Sequence, residues 1–174
     1  MKRIISLVVA RLLCLLCACG NTSQKSEDFA DMIGVEYKVI CEKYGSPLMA
    51  CNFSEGPSYQ FDIDGPWFTF GDSQPLVGPD VYTSKDEGKF IEPYDASLCT
   101  MIQSNVSTWL GVPKDKLKDI NDIKKHSGIK EFKKEYDYMQ DANLYIAKTD
   151  TYTISVTEYM GKVNGESYVT IKSN

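Results

Sequence analysis

The chain has 174 residues, enough for one ordinary domain or for two small repeats that share a core. Hydrophobic residues make up 43% of it and charged residues 25%, which excludes an intrinsically disordered chain. The net charge of −5 makes the protein acidic and disfavours binding to polyanions.

The first residues are typical of an export signal. Two basic residues precede an apolar stretch, residues 4–16, which is too short to span ~30 Å of hydrocarbon. The segment Leu16-Cys17-Ala18-Cys19 resembles the lipobox of bacterial lipoproteins, in which the cysteine after a small residue is acylated and begins the mature protein. The resemblance implies a signal peptide over residues 1–18 and a diacylglyceryl anchor on Cys19. The alternatives are an ordinary secretory signal with incidental cysteines and a leader that no longer functions.

Cleavage before Cys19 removes three basic residues, so the net charge changes from −5 to −8 and no arginine remains. We therefore expect no nucleic-acid partner, because such binding depends on phosphate neutralisation by Lys and Arg. The expected location is the cell membrane, with the protein held by its acyl chains and facing outside the cytoplasm. Residues 19–28 are polar and form a tether.

Three cysteines remain in the body of the protein: Cys41, Cys51 and Cys99. An exported protein can form disulfides, but an odd number leaves at least one thiol outside an intramolecular bridge. Buried cysteines that act as small apolar residues fit the sequence at least as well as one disulfide.

The first half of the body is predicted to be a helix followed by strands. Apolar residues recur at helical spacing between Phe29 and Tyr44, and Gly45 ends this helix. Asp64-Gly65 is a hairpin turn signal. Residues 71–94 are loop-like, and a loop of this length is usually functional or mobile. The expected strands are residues 48–53, 59–63, 67–70 and 98–110.

The second half repeats this order. A helix is predicted at residues 117–124, with Gly128 as its stop. Aligning Gly45 with Gly128 also aligns Ile40 with Ile123, at a constant offset of 83 residues. The strands that follow alternate strictly between apolar and polar residues, so one face of the sheet is expected to be buried. These strands are residues 132–138, 144–147, 151–157 and 167–172.

Each half of the body begins with a helix–glycine segment and continues with strands in which apolar and polar residues alternate. The two segments are IGVEYKVICEKYGSPL and DKLKDINDIKKHSGIK. The doubled arrangement resembles the tandem αββ architecture of the β-lactamase-inhibitor-protein-like fold, of which the small outer-membrane assembly lipoproteins (SmpA/OmlA group) carry one unit. It predicts an α+β fold in which two helix–strand-meander units, residues 29–110 and 111–174, pack their helices on one face of an antiparallel sheet. A non-repeated α+β sheet domain is the alternative. The resemblance also implies that the concave sheet and its loops bind proteins.

Catalytic and metal signals are weak. His126 is the only histidine and follows two lysines at a helix C-terminus, where the helix dipole favours a cation. Asp62 and Asp64 lack the other ligands of a calcium loop, and the cysteines lack zinc spacing. We therefore expect neither a metal nor a cofactor, and no catalytic residue.

Aromatic residues are the remaining candidates, because Tyr and Trp on an exposed sheet face are typical of protein contacts. Phe68 and Phe70 are expected in the core and Trp67 on the opposite face. The possible protein-contact residues are Trp67, Tyr136, Tyr138 and Tyr145; packing beneath the helices is the alternative for each.

The expected function is a non-catalytic protein-binding or envelope-associated lipoprotein. One alternative is a solute- or peptide-binding lipoprotein that uses residues 71–94 as a lid. A second alternative is an enzyme with a site around His126.

Overall fold

The computed structural model describes residues 29–53, 55–71, 83–84, 91–158 and 160–174. The signal peptide, the tether and most of the 71–94 loop lie outside these residues. The α-helices are α1 (Tyr37–Tyr44), α2 (Val106–Leu110) and α3 (Ile120–Ser127), and Phe29–Met32 and Lys114–Lys116 form 3₁₀ turns. The strands are β1 (Met49–Phe53), β2 (Gly56–Gln60), β3 (Trp67–Phe70), β4 (Thr83–Ser84), β5 (Cys99–Asn105), β6 (Lys133–Asp137), β7 (Ala142–Lys148), β8 (Tyr152–Thr157) and β9 (Tyr168–Ser173).

The described strands form one antiparallel sheet in the order β4-β1-β2-β3-β5-β9-β8-β7-β6. It contains two four-stranded meanders, β1-β2-β3-β5 and β6-β7-β8-β9, whose last strands pair with each other. This β5–β9 ladder runs from Met101↔Lys172 to Asn105↔Tyr168. The ladder makes the two halves of the chain parts of one sheet.

One face of the sheet is the floor of the hydrophobic core. Because side chains alternate between faces along a strand, residues in register across the sheet share a face. A fully or almost fully buried row crosses five strands on this face: Tyr59, Phe68, Ile102, Ile171 and Ile154. The opposite face, called the open face below, carries mostly polar residues.

Helices α1 and α3 cover the core face of the sheet. Ile40 of α1 and Ile123 of α3 are fully buried and belong to the same cluster as the apolar row. Asp119 caps α3, because its side chain accepts hydrogen bonds from the backbone N–H groups of Asn121 and Asp122. Gly45 and Gly128 end the two helices with positive φ angles of 86° and 74°, as predicted. Among the described residues, no helix has the length and apolar character needed to cross a membrane.

The predicted α+β class is wrong. The protein is dominated by its antiparallel sheet, whereas the three described α-helices have only eight, five and eight residues. The first helix is shorter than predicted because Gly34 takes a φ of 79° and Glu36 bridges to Leu98, so the chain becomes helical only at Tyr37.

The chain departs from the predicted strands in two further places. The strand expected over residues 98–110 ends at Asn105, and its last five residues form α2, which ends at the left-handed Gly111. The strand expected to include Ile63 ends at Gln60, so Ile63 lies in the exposed turn between β2 and β3.

Candidate functional site

The open face of the sheet contains a groove of about 630 Å³, called the open-face groove below. This volume lies within the ~300–1,000 Å³ range of small-molecule sites. Its described lining comes from β1, β2, β3, β5, β7, β8 and β9 and from two turns, residues 61–66 and 138–141. Both turns lie at the same end of the antiparallel sheet, where β2 and β6 end. The groove therefore crosses the β5–β9 ladder that joins the two meanders.

Aromatic rings line the groove. Trp67 lies on the open face because its neighbour Phe68 occupies the core face. Its ring packs edge-on against Phe53, with 5.6 Å between the ring centroids. Tyr168, at the start of β9, lines the groove as well and is 57% exposed. The groove thus offers flat apolar surfaces that a ligand can reach.

Neutral polar side chains form much of the rest of the floor. Trp67 is in register with Gln103, Gln103 with Thr170, and Thr170 with Ser155, so these four side chains form a row across the open face. Asn105 lies two residues further along β5, on the same face. Within the described part of the chain, the side-chain amides of Gln103 and Asn105 make no hydrogen bond with protein groups. An amide provides both donors and acceptors, so these groups can bind a polar ligand.

Two turns border the groove. In the β2–β3 turn, Asp64 has a φ of 60°, and the Gln60 side-chain amide donates a 2.8 Å hydrogen bond to the Gly65 carbonyl. In the β6–β7 turn, the Asp137 carboxylate accepts a 2.8 Å hydrogen bond from the Met139 backbone N–H. This turn places Gln140 at the groove wall. Local hydrogen bonds therefore hold both borders.

The groove is almost uncharged. Asp64 is the one residue with a formal charge among the described residues of its lining. Lys172 lies on the open face beyond the groove and forms a 2.8 Å ion pair with Glu55. This neutral, slightly acidic surface differs from the cationic sites that bind phosphates or nucleic acids.

The four predicted protein-contact residues do not form one surface. Trp67 lies in the open-face groove. Tyr145 lies on the core face, in register with the buried Val156, and its ring is 5.2 Å from the Lys134 ammonium. Tyr136 also lies on the core face, and its hydroxyl donates a hydrogen bond to the Asp141 carboxylate.

Tyr138 belongs to the exposed β6–β7 turn. It is 88% exposed and packs edge-on against Tyr136, with 4.8 Å between the ring centroids. The predicted acylation site, Cys19, lies outside the described residues.

Sequence reasoning missed most of the groove. Gln103, Asn105, Tyr168 and Thr170 were not predicted as site residues, although the amides of Gln103 and Asn105 at alternate positions of one strand were an available signal. Asp64 was interpreted only as a turn or weak calcium residue. Among the described residues, no group of three or more His, Cys, Asp or Glu side chains is placed to hold a metal ion.

His126 lies in the last turn of α3, away from the groove, because α3 packs on the core face. No disulfide joins the three described cysteines. Burial raises the pKa of the Cys99 thiol from 9.0 to about 12, and burial also raises the pKa of Cys41. A nucleophilic cysteine needs a lowered pKa, so neither thiol resembles one.

Comparisons with protein-family models, with curated proteins and with solved structures found no match to this chain. The resemblance of residues 16–19 to a lipobox therefore stays a prediction.

The Cys99 thiol should make the protein less stable at alkaline pH. The unfolded chain loses the Cys99 proton near pH 9, whereas the folded chain retains it up to about pH 12. The unfolded state therefore binds fewer protons in this interval, and the free energy of unfolding should fall as the pH rises from 9 towards 12. Urea unfolding at a series of pH values measures this slope.

The slope should be smaller in Cys99→Ala. The control is Ile154→Val, a core substitution without a titratable group, which should cost about 0.5–1.5 kcal/mol and leave the slope unchanged. An identical slope in Cys99→Ala and the unmodified protein would contradict this assignment.

Proposed function

We propose that this chain is a membrane-anchored lipoprotein, acylated on Cys19, whose folded body is a non-catalytic binding module outside the cytoplasm. The proposal of an anchor rests on the sequence of residues 16–19, which resembles a lipobox. The proposal of binding rests on the open-face groove, where the Trp67 ring, the exposed Tyr168 ring and the side-chain amides of Gln103 and Asn105 line a concave surface.

The groove residues are suited to binding rather than to catalysis. General acid–base catalysis uses side chains that exchange protons near neutral pH, and a nucleophile needs an adjacent base. The described lining contains amides, hydroxyls and aromatic rings, with Asp64 as its one acid. His126 cannot assist them, because it lies on a helix packed against the other face.

A protein partner is a second candidate, and a different surface supports it. Tyr138 and Met139, at the tip of the β6–β7 hairpin, are 88% and 95% exposed. An aromatic and a methionine side chain at an exposed tip are residue types enriched at protein interfaces. We propose this tip as the protein contact, separate from the groove.

The anchor can be tested by metabolic labelling with an alkyne-bearing fatty acid. The unmodified protein should incorporate the label and Cys19→Ser should not, because serine lacks the thiol that receives the diacylglyceryl group. Cys17→Ser is the matched control and should keep the label. Equal labelling of Cys19→Ser and the unmodified protein would contradict acylation at Cys19, and absence of label from all three would favour an ordinary secretory signal.

The two binding surfaces can be tested by photo-crosslinking in the native envelope. A benzoylphenylalanine would replace Gln103 in the groove, Tyr138 at the hairpin tip, or Asn121 on the exposed side of α3 as the control. We expect specific adducts from position 103 or 138 and none from position 121, because only the first two lie on the proposed surfaces. No adduct from positions 103 and 138, or the same adducts from all three, would contradict the binding function.

A further inference from the structure

Building on the proposed function, we propose that the open-face groove binds an uncharged oligosaccharide. A sugar ring would stack on Trp67, and the amides of Gln103 and Asn105 would hydrogen-bond its hydroxyl groups. The inference rests on the charge of the groove, on the pairing of its strands and on the mixture of aromatic and amide side chains along it.

The charge of the groove disfavours anionic ligands. Phosphates, nucleotides and acidic lipids are held by lysine and arginine, and no basic residue is among the described lining residues. Of the lysines that the register places on this face, Lys172 is paired with Glu55 at 2.8 Å and Lys133 with Glu135 at 2.7 Å. The one charged lining residue, Asp64, would repel an anion but can accept hydrogen bonds from hydroxyl groups.

The pairing of the floor strands disfavours an extended peptide. A peptide that adds a strand needs an exposed sheet edge. The groove floor consists of β3, β5, β9 and β8, each of which already pairs with a strand on both sides. A helical peptide needs an apolar groove, whereas Gln103, Thr170 and Ser155 form a polar row here.

The chemistry of the groove complements a sugar. A pyranose ring has an apolar face of C–H groups, which packs on an aromatic ring, and a rim of hydroxyls that both donate and accept hydrogen bonds. Trp67 and Tyr168 provide the aromatic faces, and Gln103 and Asn105, on the strand between β3 and β9, provide amides that donate and accept. Asp64 adds an acceptor at the border.

The length of the groove favours several sugar rings over one. Its described lining begins at Phe53 on β1, and the part between Trp67 on β3 and Leu144 on β7 alone crosses four strand spacings. At ~4.8 Å for each spacing, the floor is about 19 Å wide. The volume of about 630 Å³ is in keeping with a ligand of this length.

The experiment is titration calorimetry of the full-length acylated protein, in a detergent without a sugar head group, against neutral oligosaccharides. The panel covers hexoses, N-acetylhexosamines and pentoses in α and β linkage. We expect at least one member to bind saturably. Trp67→Ala should weaken this binding about tenfold or more, and Gln103→Ala should weaken it severalfold, because each loses a direct ligand contact. Trp67→Phe should retain part of the affinity.

Two substitutions away from the groove are the controls. Tyr94→Ala removes an exposed aromatic ring from the loop before β5, whose backbone is hydrogen-bonded to the start of α1. Asn121→Ala removes an exposed amide from α3. Both should bind like the unmodified protein. Intrinsic fluorescence adds a second readout, since the chain has two tryptophans and Trp109 is buried, so a ligand-induced change should come from Trp67. If Trp67→Ala does not fold, the affinity of Gln103→Ala decides the test.

The absence of saturable binding to every neutral oligosaccharide would overturn the inference. Binding that both groove variants leave unchanged, or binding of charged saccharides only, would also overturn it. Crosslinking separates this failure from failure of the proposed function. A protein captured from position 103, without saccharide binding, would leave the binding module in place and replace its ligand class. The absence of saccharide binding together with the absence of adducts from positions 103 and 138 would overturn both proposals.

Discussion

The pairing of β5 with β9 is the interaction on which the rest of this structure depends. The two strands join a meander from each half of the chain, and they meet in five residue pairs. On one face the ladder places Ile102 beside Ile171, which continues the buried row across the sheet. On the other face it places Gln103 beside Thr170, in the floor of the groove. The same ladder therefore completes both the core and the candidate site.

The two faces of the sheet differ in character because side chains along a β-strand alternate between them. Along β3 and β5, phenylalanine and isoleucine side chains lie in the core, and the tryptophan and glutamine side chains beside them in sequence lie in the groove. A one-residue slip in the register would exchange these sets, which the apolar core opposes strongly. Burial of the core-face side chains thus fixes the strand register, and the register positions the groove side chains on the opposite face.

Local features of this structure could be predicted from the sequence, whereas long-range ones could not. Strict alternation predicted a strand over residues 151–157, one residue longer than β8, and the helix-ending roles of Gly45 and Gly128 are local backbone preferences. The β5–β9 ladder joins residues 63 to 71 positions apart, and no local pattern specifies it. The site exists only once distant strands pair. Sequence reasoning therefore missed the contact of Trp67 with Phe53 and the role of the groove amides.

The most direct test of this account is hydrogen exchange of the backbone amides in β5 and β9, measured at a series of low denaturant concentrations. We expect the hydrogen-bonded amides of residues 101–105 and 168–172 to be among the slowest in the chain and to exchange with the free energy of global unfolding, because breaking this ladder should unfold both halves. Faster exchange of these amides through a denaturant-insensitive opening, while residues 67–70 and 152–157 stay protected, would contradict the central role of this pairing.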